Sequence, residues 1–328
     1  YPDLHTTHRF TNVLLALWAL TPTALAHLAL RFPEKRGIAR RHPWIIPVLW
    51  VIATLTFLLM QAVPGGPFDS EKTRPPAQER ALQEKYGLDE PLYQQYGKYL
   101  FNLAQFDLGI SFRQQERPVS EIIRGAGFIS LQIAVLSLIL AVTLGMTLGT
   151  MSALQHNGPL DYVGVLFATI GASVPHFVLA AFLVIVFAVN LGWLDTLEWG
   201  GPERVGDIFD PSVYRWRKMV LPVISLSMLP AAYIARVMRA SMLEVLNQDY
   251  IRPARAKGLS EYRVVLRHTM KNSLIPVLTV IGPIAALLIS GSFIIETMFG
   301  IAGIGRESIR AVQARDYGLI MGTTLFFA

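Results

Sequence analysis

The chain has 328 residues, of which 52% are hydrophobic and only 16% are charged, and it contains no cysteine. Soluble domains carry about 25% charged residues, well above the fraction in this chain. Its apolar residues come in runs of about 20, long enough to cross a bilayer. Together these two features exclude an ordinary soluble domain. Without cysteine there is no disulfide, thiol catalysis or thiolate metal site. The net charge of +6 does not indicate binding to nucleic acid, because the basic residues flank the apolar runs, where they would lie beside anionic lipid.

The first apolar run, Asn12–Leu30, is just long enough to cross a bilayer. The positive-inside bias places the basic residues that follow it on the cytoplasmic side: Arg31, Lys35, Arg36, Arg40 and Arg41. Residues 1–43 are therefore predicted to form an extra N-terminal span and a basic linker, with an interfacial helix as the alternative. The chain begins at Tyr1 and stops inside an apolar run, so further residues are expected at both ends.

The next apolar run, residues 44–63, predicts a stronger span, which a Pro-Gly-Gly-Pro sequence must end. The polar segment after it, residues 64–128, is long for a loop and should fold on itself as a small helical domain. By sidedness this domain is extracytoplasmic. It is either a structural cap or a platform for a substrate-binding protein.

Two helices are predicted inside this domain. The first, Ala77–Tyr86, should end at Gly87, a residue that favours the turn after a helix. The second should be capped by Asp89, with Glu90 and Pro91 in its first turn. Helical spacing gives this second helix one apolar face, formed by Leu92, Tyr96, Tyr99, Leu103 and Phe106.

Residues 129–328 read as the transmembrane core. Its first span, Ile129–Ala153, runs inward, and Gly145 and Gly149 lie four residues apart on one face, so that a neighbouring helix can approach closely. The turn that follows, QHNGPLD, is short and, for an inner loop, poor in basic residues. It is the weakest point of this topology.

The next span, Tyr162–Val189, returns outward, and Pro175 should bend it. His176 beside that bend could line a water-filled path, with a hydrogen bond to a neighbouring helix as the alternative. Pro175 and His176 are therefore candidate substrate-path residues. An outer loop, Asn190–Lys218, follows, with tryptophans that suit the interfacial aromatic belt, Trp193, Trp199 and Trp216.

An apolar run from Met219 to Ala235 leads back inward to the most distinctive stretch, residues 239–273. In this stretch the basic residues outnumber the acidic ones: Arg239, Arg252, Arg255, Lys257, Arg263, Arg267 and Lys271 against Glu244, Asp249 and Glu261. The positive-inside bias therefore predicts that the stretch is cytoplasmic. Apolar residues recur through it at helical spacing, and Gly258 separates the two periodic pieces. We predict a helix, a turn and a helix, rooted in two spans, which suits docking of a partner on the inner face.

The last part of the chain returns outward along Leu274–Ile295 and then becomes rich in glycine. Gly300, Gly303 and Gly305 are not a phosphate loop, because their order is wrong and no strand precedes them. Glu296 could bind a substrate ammonium group, with a role as a capping partner or an interfacial charge as the alternative. A final span is predicted to begin near Leu319.

Several kinds of chemistry have no motif in this chain. It contains no Walker A pattern, no H-E-x-x-H, no G-x-S-x-G and no cysteine/histidine cluster, so we predict neither an ATPase nor another enzyme, and no metal site. Intramembrane charges are scarce, which argues against a proton- or sodium-coupled carrier. Energy for any transport must then enter from outside the chain.

One segment resembles a known family. DYIRPARAKGLSEYRVVLRHTMKNSLIPV is similar to the EAA loop of ABC-importer permeases, in the form used by the dipeptide, oligopeptide and nickel branch. The matching positions are Asp249, Tyr250, Ile251, Arg252, Ala254, Arg255, Ala256, Lys257, Gly258 and Leu259. Pro253 departs from the pattern, and it costs nothing in a first helical turn but would kink a helix interior.

The resemblance extends from about Trp44 to the end and is closest to the B-type permease subunit. The VPGGPF sequence, the segment YGLDEPLYQQYGKYLFNLAQFDLGISF and the SVP element also fit, although Gly66 replaces an aspartate and Phe106 replaces a glycine. Near the C-terminus the fit rests on Glu296, Phe299, Gly303, Gly305, Asp316 and Tyr317.

The resemblance implies an all-α transmembrane bundle with six family spans, besides the extra N-terminal one, in a bacterial or archaeal plasma membrane. It also implies a second permease of related fold, two ATPase subunits or domains that bind ATP and Mg²⁺, and an extracytoplasmic binding protein. The matching loop positions would couple to the ATPases, which drive alternating access. Peptides are the default substrate, although nickel, glutathione and sugars occur on similar scaffolds.

Two alternatives to an importer permease, and one alternative to a docking role of the basic stretch, remain open from the residues alone. The chain could be a secondary carrier or a channel that works by itself. It could instead be a membrane-anchored binding module whose working part is the polar domain between residues 64 and 127. The basic stretch at residues 239–273 could also be a simple juxtamembrane loop that binds lipid headgroups.

Overall fold

The computed structural model describes residues 44–62, 83–84, 86–114, 117–289 and 293–328. Within these ranges the regular structure is helical, and the only strand-like pairing is an isolated bridge between Ile110 and Pro118. The all-α prediction is therefore confirmed. The predicted extra span and linker, residues 1–43, and most of the predicted helix Ala77–Tyr86 lie outside the described residues.

The helices are named here in chain order. They are α1 (Ile45–Ala62), α2 (Leu92–Ala104), α3 (Val119–Leu154), α4 (Pro159–Ser173), α5 (His176–Leu183), α6 (Trp216–Leu246), α7 (Ile251–Ala256), α8 (Glu261–Ile289), α9 (Phe293–Met298), α10 (Ile304–Ala314) and α11 (Tyr317–Phe327). The chain divides into two compact units, one made of Tyr1–Arg124 with Ser308–Ala328 and the other of Gly125–Glu307.

In the first unit, α1 packs against α11, and α2 joins them through an aromatic core. Phe57 lies 5.2 Å from the ring of Tyr96 and 6.2 Å from that of Tyr99, between ring centroids. The Tyr96 hydroxyl also shares a 2.7 Å hydrogen bond with Thr54. This core fixes the predicted extracytoplasmic helix α2 beside an apolar helix.

Two predictions about α2 are wrong. Pro91, not Asp89, is the N-cap residue, and no side chain caps the helix; instead, the side chain of Gln95 reaches back to the carbonyl groups of Leu88 and Glu90. Phe106 is 64% exposed rather than part of the apolar face. The helix ends at Ala104, and Phe106 has a φ of 61°, which turns its side chain off the helical register.

The helix α3 begins at Val119 rather than at the predicted Ile129 and runs for 36 residues. Buried residues recur at helical spacing through the added segment: Val119, Ile122, Ile123 and Ala126. A hydrophobic stripe therefore continues through residues that look polar on average. The sequence reading missed it because charged residues on the opposite face lowered the local hydrophobicity.

The predicted close approach at Gly145 and Gly149 is confirmed. A Cβ atom on Gly149 would lie 2.6 Å from the carbonyl oxygen of Ala235, and one on Gly145 would lie 2.7 Å from the Cβ of Ile234. These contacts bring α3 directly onto α6. The helix α6 continues to Leu246, beyond the predicted Ala235, because Met238 and Met242 are fully buried and extend its packed face.

The predicted bend at Pro175 is also present, as a complete break. The helix α4 ends at Ser173, Pro175 is the N-cap of α5, and the two segments meet at 104°. A π-helical turn, Val184–Asn190, continues α5. By length and composition, α3, α6 and α8 could each cross a membrane, and the bent pair could form a fourth span, within the described residues. The number of six family spans stays a prediction.

The second unit has two distinct ends. At one end of α3 and α6, Ile129 and Leu221 pack with Trp199, Phe299 and further apolar residues. At the other end, Ala153, Met238 and Val277 form a separate cluster. The predicted outer and inner segments thus lie at opposite ends of the same helices.

The prediction of an interfacial aromatic belt fails for one tryptophan. Trp193 and Trp216 are exposed, but Trp199 is enclosed in the outer-end cluster, where its indole N–H donates to Gln132 at 3.3 Å. This polar partner satisfies the indole inside the protein.

Candidate coupling site

Residues 249–259, here named the coupling segment, form a short exposed helix followed by a tight turn. The helix α7 ends at Ala256, and Gly258 has a φ of 73°, with its N–H donating to the carbonyl of Arg255 at 2.9 Å. Glycine adopts this left-handed conformation without the steric penalty of a side chain. The predicted turn at Gly258 is confirmed, and Pro253 lies in the first helical turn, where its missing N–H costs nothing.

The coupling segment has a buried side and an exposed side. Ile251 and Ala254 are buried against Val264 of α8, and Leu259 packs beside them. The other predicted coupling residues are exposed: Asp249, Tyr250, Arg252, Arg255, Ala256, Lys257 and Gly258. Ala254 and Leu259 therefore help to seat the segment, whereas the remaining residues form a surface that is open to a partner.

Polar contacts tie this exposed surface to α8. The guanidinium of Arg255 donates to the carboxylate of Glu261 at 2.8 Å and 3.3 Å, and the amide of Asn272 donates to the Tyr250 hydroxyl at 2.6 Å. Arg252 is 3.7 Å from Asp249 in a pair that is almost fully exposed. Such exposed pairs contribute about 0–1 kcal/mol, so they orient the side chains rather than hold the segment in place.

Arg239 is not part of this exposed surface, although the sequence reading placed it in the basic loop. It lies inside α6, and its guanidinium donates to both carboxylate oxygens of Asp161, at 2.6 Å and 2.7 Å. Asp161 belongs to the inner turn that was poor in basic residues. The arginine of a distant helix thus pairs with the acid of that turn, and the inner position of the turn stays a prediction.

Glu296, a candidate substrate-path residue, is only 2% exposed. Its carboxylate accepts a hydrogen bond from the Ser130 hydroxyl at 2.8 Å and one from the N–H of Arg306, in the first turn of α10, at 3.0 Å. Burial raises its pKa, although these hydrogen bonds oppose the shift. A Cβ on Gly303 would collide with this carboxylate. The geometry is that of a capping partner, and the substrate role stays a prediction.

The other two candidate path residues mark the break between α4 and α5. Pro175 is exposed, and the half-buried ring of His176 lies 6.3 Å from that of Phe177, between centroids. Their role in a substrate path stays a prediction. No group of three or more histidine and acidic side chains within the described ranges could hold a metal ion.

Asp316, which the family resemblance marks only as a matching position, has a structural role in the first unit. Its buried carboxylate accepts hydrogen bonds from the Ser111 hydroxyl, from the N–H of Phe112 at 3.1 Å and from that of Leu319 at 3.3 Å. Asp316 therefore caps α11 and fastens the segment around residue 111 to it. An aspartate just before an apolar helix is the signal that could have identified this cap.

A chain with several membrane-length helices is a multi-pass membrane protein, and its small exposed helix α7 lies between two of them along the chain. Residues 145–328 match the family described as "Binding-protein-dependent transport system inner membrane component". The chain belongs to this family of transport permeases. The predicted resemblance and the membrane location are confirmed.

Named relatives cover nearly the whole chain. It is 40% identical over 293 residues to the dipeptide transport system permease protein DppB of Bacillus subtilis, which covers 89% of this chain and 91% of the relative. It is also 40% identical over 280 residues to the oligopeptide transport system permease protein OppB of Haemophilus influenzae, and this match covers 85% of this chain and 88% of the relative. These relatives favour an importer permease over a carrier that works alone.

Among solved structures, a chain of the MetNI methionine ABC transporter in an inward-facing conformation matches 63% of this chain and 87% of its own length. The identity is 15% and the TM-score 0.49. A likeness at this level is too weak to support an argument about function.

Proposed function

We propose that this chain is a permease subunit of an ATP-driven importer of dipeptides or oligopeptides, and that the coupling segment receives the movement of the ATPases. One observation carries the coupling role: a short helix exposes a polar surface with three basic side chains, Arg252, Arg255 and Lys257, while its buried side packs against α8. Movement of a partner that binds this surface would be passed directly to a membrane-length helix.

The proposed complex contains a second permease, two ATPase subunits or domains that hold ATP and Mg²⁺, and an extracytoplasmic binding protein. This chain itself performs no chemistry. Its contribution is to bind the ATPases differently in their two states, because only a differential contact can shift the permease between inward and outward conformations.

The docking surface can be tested by labelling, since the chain has no cysteine of its own. Arg252→Cys places a single thiol on the exposed side of α7. We expect a soluble maleimide to label it in the permease alone and much more slowly once the ATPases are bound. Glu203→Cys, which replaces an exposed charge in the predicted outer loop, is the matched control and should label equally in both samples. Equal labelling of Arg252→Cys would contradict the docking role.

Peptides are proposed as the substrate because both relatives named above are peptide permeases and match along their length. Uptake of radiolabelled alanyl-alanine by cells that lack their own peptide importers tests this, once the complete transporter is expressed. ATP-dependent uptake of the dipeptide is the expected result. Uptake of Ni²⁺, glutathione or a sugar, with none of the peptide, would contradict it.

A further inference from the structure

Asp161 joins three helices at the inner end of the second unit. Its side chain is 5% exposed, and the guanidinium of Arg239 binds both of its oxygens. The hydroxyl of Ser152, near the end of α3, donates to the same carboxylate and lies 3.1 Å from Nε of Arg239. Residues from α3, α4 and α6 thus share one hydrogen-bonded cluster.

The turn between α3 and α4 closes around the same carboxylate. Asn157, at a left-handed φ of 61°, donates its N–H to Asp161 at 2.9 Å. The Nδ1 atom of His156 lies 3.2 Å from Oδ2 of Asp161 and 3.2 Å from Nη2 of Arg239. The turn is therefore held by the ion pair rather than left free.

Glycines and other small residues also let the three helices approach each other closely. A Cβ on Gly164 of α4 would lie 2.9 Å from the Cβ of Ser152, and one on Gly171 would lie 2.8 Å from the Cβ of Ala232 in α6. With the contact of Gly149 on Ala235, close packing leaves little space for one helix to slide past another. The ion pair and the glycine contacts join α3, α4 and α6 into one closely packed block.

This block lies close to the coupling segment along the chain. From Arg239, α6 continues for about 10 Å to Leu246, and a short turn then leads to α7, where the N–H of Ile251 donates to Gln248 at 3.1 Å. A movement of α7 therefore reaches α6 through a few residues of ordered backbone. The cation that holds Asp161 is on that same helix.

We propose that the Asp161–Arg239 ion pair is a second coupling element, which passes the movement of the coupling segment from α6 to α3 and α4. The inference rests on the proposed function. Without the pair, α6 would lose its polar link to the turn, and less of its movement would reach α3 and α4 through the remaining apolar contacts. Asp161 and Arg239 are thus positioning residues that touch neither substrate nor ATP.

The test compares variants of the complete transporter in proteoliposomes, with its binding protein present, and measures alanyl-alanine uptake per ATP hydrolysed. Asp161→Asn removes the charge, and Arg239→Lys keeps the charge but loses the planar fork that binds both oxygens. We expect uptake per ATP to fall about fivefold or more, the lower end of the coupling found between linked sites. Only the ATP hydrolysis that depends on the binding protein is counted, so that ATPase subunits outside the assembled complex do not lower the ratio.

The matched control is Glu198→Gln, which breaks an ion pair between α6 and the outer loop, where Lys218 lies 3.0 Å from Glu198. It should leave the ratio unchanged. If Asp161→Asn fails to assemble, Arg239→Lys decides the question. An unchanged ratio in the inner-end variants that assemble would overturn the inference and leave the pair a purely structural contact. Absence of ATP-driven peptide uptake by the unaltered transporter would instead overturn the proposed function, and the inference with it.

Discussion

The two ends of the second unit each bury a carboxylate, and they satisfy it in different ways. At the inner end, Asp161 meets the guanidinium of Arg239, so a charge pair links separate helices. At the outer end, Glu296 meets a hydroxyl and a backbone N–H, and burial raises its pKa. The contacts of Asp161 at the inner end require its negative charge, whereas those of Glu296 at the outer end require only a side chain of the right shape that accepts hydrogen bonds.

This difference teaches how to read an acid in a membrane permease. A carboxylate paired with an arginine on another helix can hold moving parts together. A carboxylate such as Glu296, which accepts from a hydroxyl of α3 and from the first turn of α10, joins helices through hydrogen bonds that an uncharged side chain of the same shape can also make. Substitutions that remove charge but keep shape should therefore act strongly at the inner end and weakly at the outer end.

The largest effect is expected for Arg239→Ala, which leaves the Asp161 carboxylate buried without its cation. Because the Arg239 side chain is 26% exposed and Ser152 and Asn157 still donate to the carboxylate, the expected loss is about 1–3 kcal/mol. Glu198→Gln, which removes the charge of the exposed acid that pairs with Lys218, should leave the free energy of unfolding essentially unchanged. Thermal unfolding of the detergent-purified chain measures both. Similar losses for the two variants would show that the inner pair is no more important than a surface one.

A smaller effect on folding, but a large one on uptake, is expected for Gly258→Asp. The left-handed φ of 73° costs a side chain about 1–2 kcal/mol, and the new carboxylate places negative charge on the basic surface of the coupling segment. Peptide uptake should fall while ATP hydrolysis and membrane insertion persist.

The control for this variant is Gly192→Asp in the outer loop. Gly192 has a φ of 62° and, like Gly258, open space around the position of a Cβ. The backbone strain is therefore matched, and only the location differs. Normal uptake by Gly258→Asp, or an equal loss in both variants, would count against a role for Gly258 in coupling.

The smallest effect is expected for Glu296→Gln, which keeps the shape and most hydrogen bonds of the cap and should change stability by less than about 1 kcal/mol. The difference in stability between Glu296→Gln and the native protein depends on pH. Because the folded-state pKa of Glu296 is raised, the native protein loses stability as pH rises from the ordinary value of about 4.3 through the raised one. The Gln variant should lack this loss.

Melting temperatures of the two proteins, compared across that pH range, test the prediction. Glu296→Ala, which leaves the Ser130 hydroxyl and the N–H of Arg306 without their acceptor, should cost about 1–3 kcal/mol at any pH in the range. A pH-independent difference between Glu296→Gln and the native protein would show that the carboxyl is not tuned by burial.

The features that the sequence predicted correctly depend on short-range signals. A glycine between two periodic segments predicted the turn at Gly258, two glycines four apart predicted close packing, and a proline predicted the break at Pro175. Each of these follows from what a single residue does to local backbone or local volume. They needed no knowledge of which helices become neighbours.

The missed features depend on partners that are distant in sequence. Asp161 and Arg239 are 78 residues apart, and Ser130 is 166 residues from Glu296. No periodicity can pair such residues, so the sequence reading assigned Arg239 to a solvent-facing basic loop. The added length of α3 and α6 was missed for a related reason, since buried faces continued where the average composition had already become polar.

The sharp break at Pro175 places a demand on its surroundings. Where α4 stops at Ser173, its last carbonyl groups lack the N–H donors that the next turn of a continuous helix would supply. Hydrocarbon offers such oxygens no donor, so this corner is stable only where other parts of the assembly or a watery lumen cover it. Wherever this corner lies at membrane depth, lipid chains are therefore excluded from it.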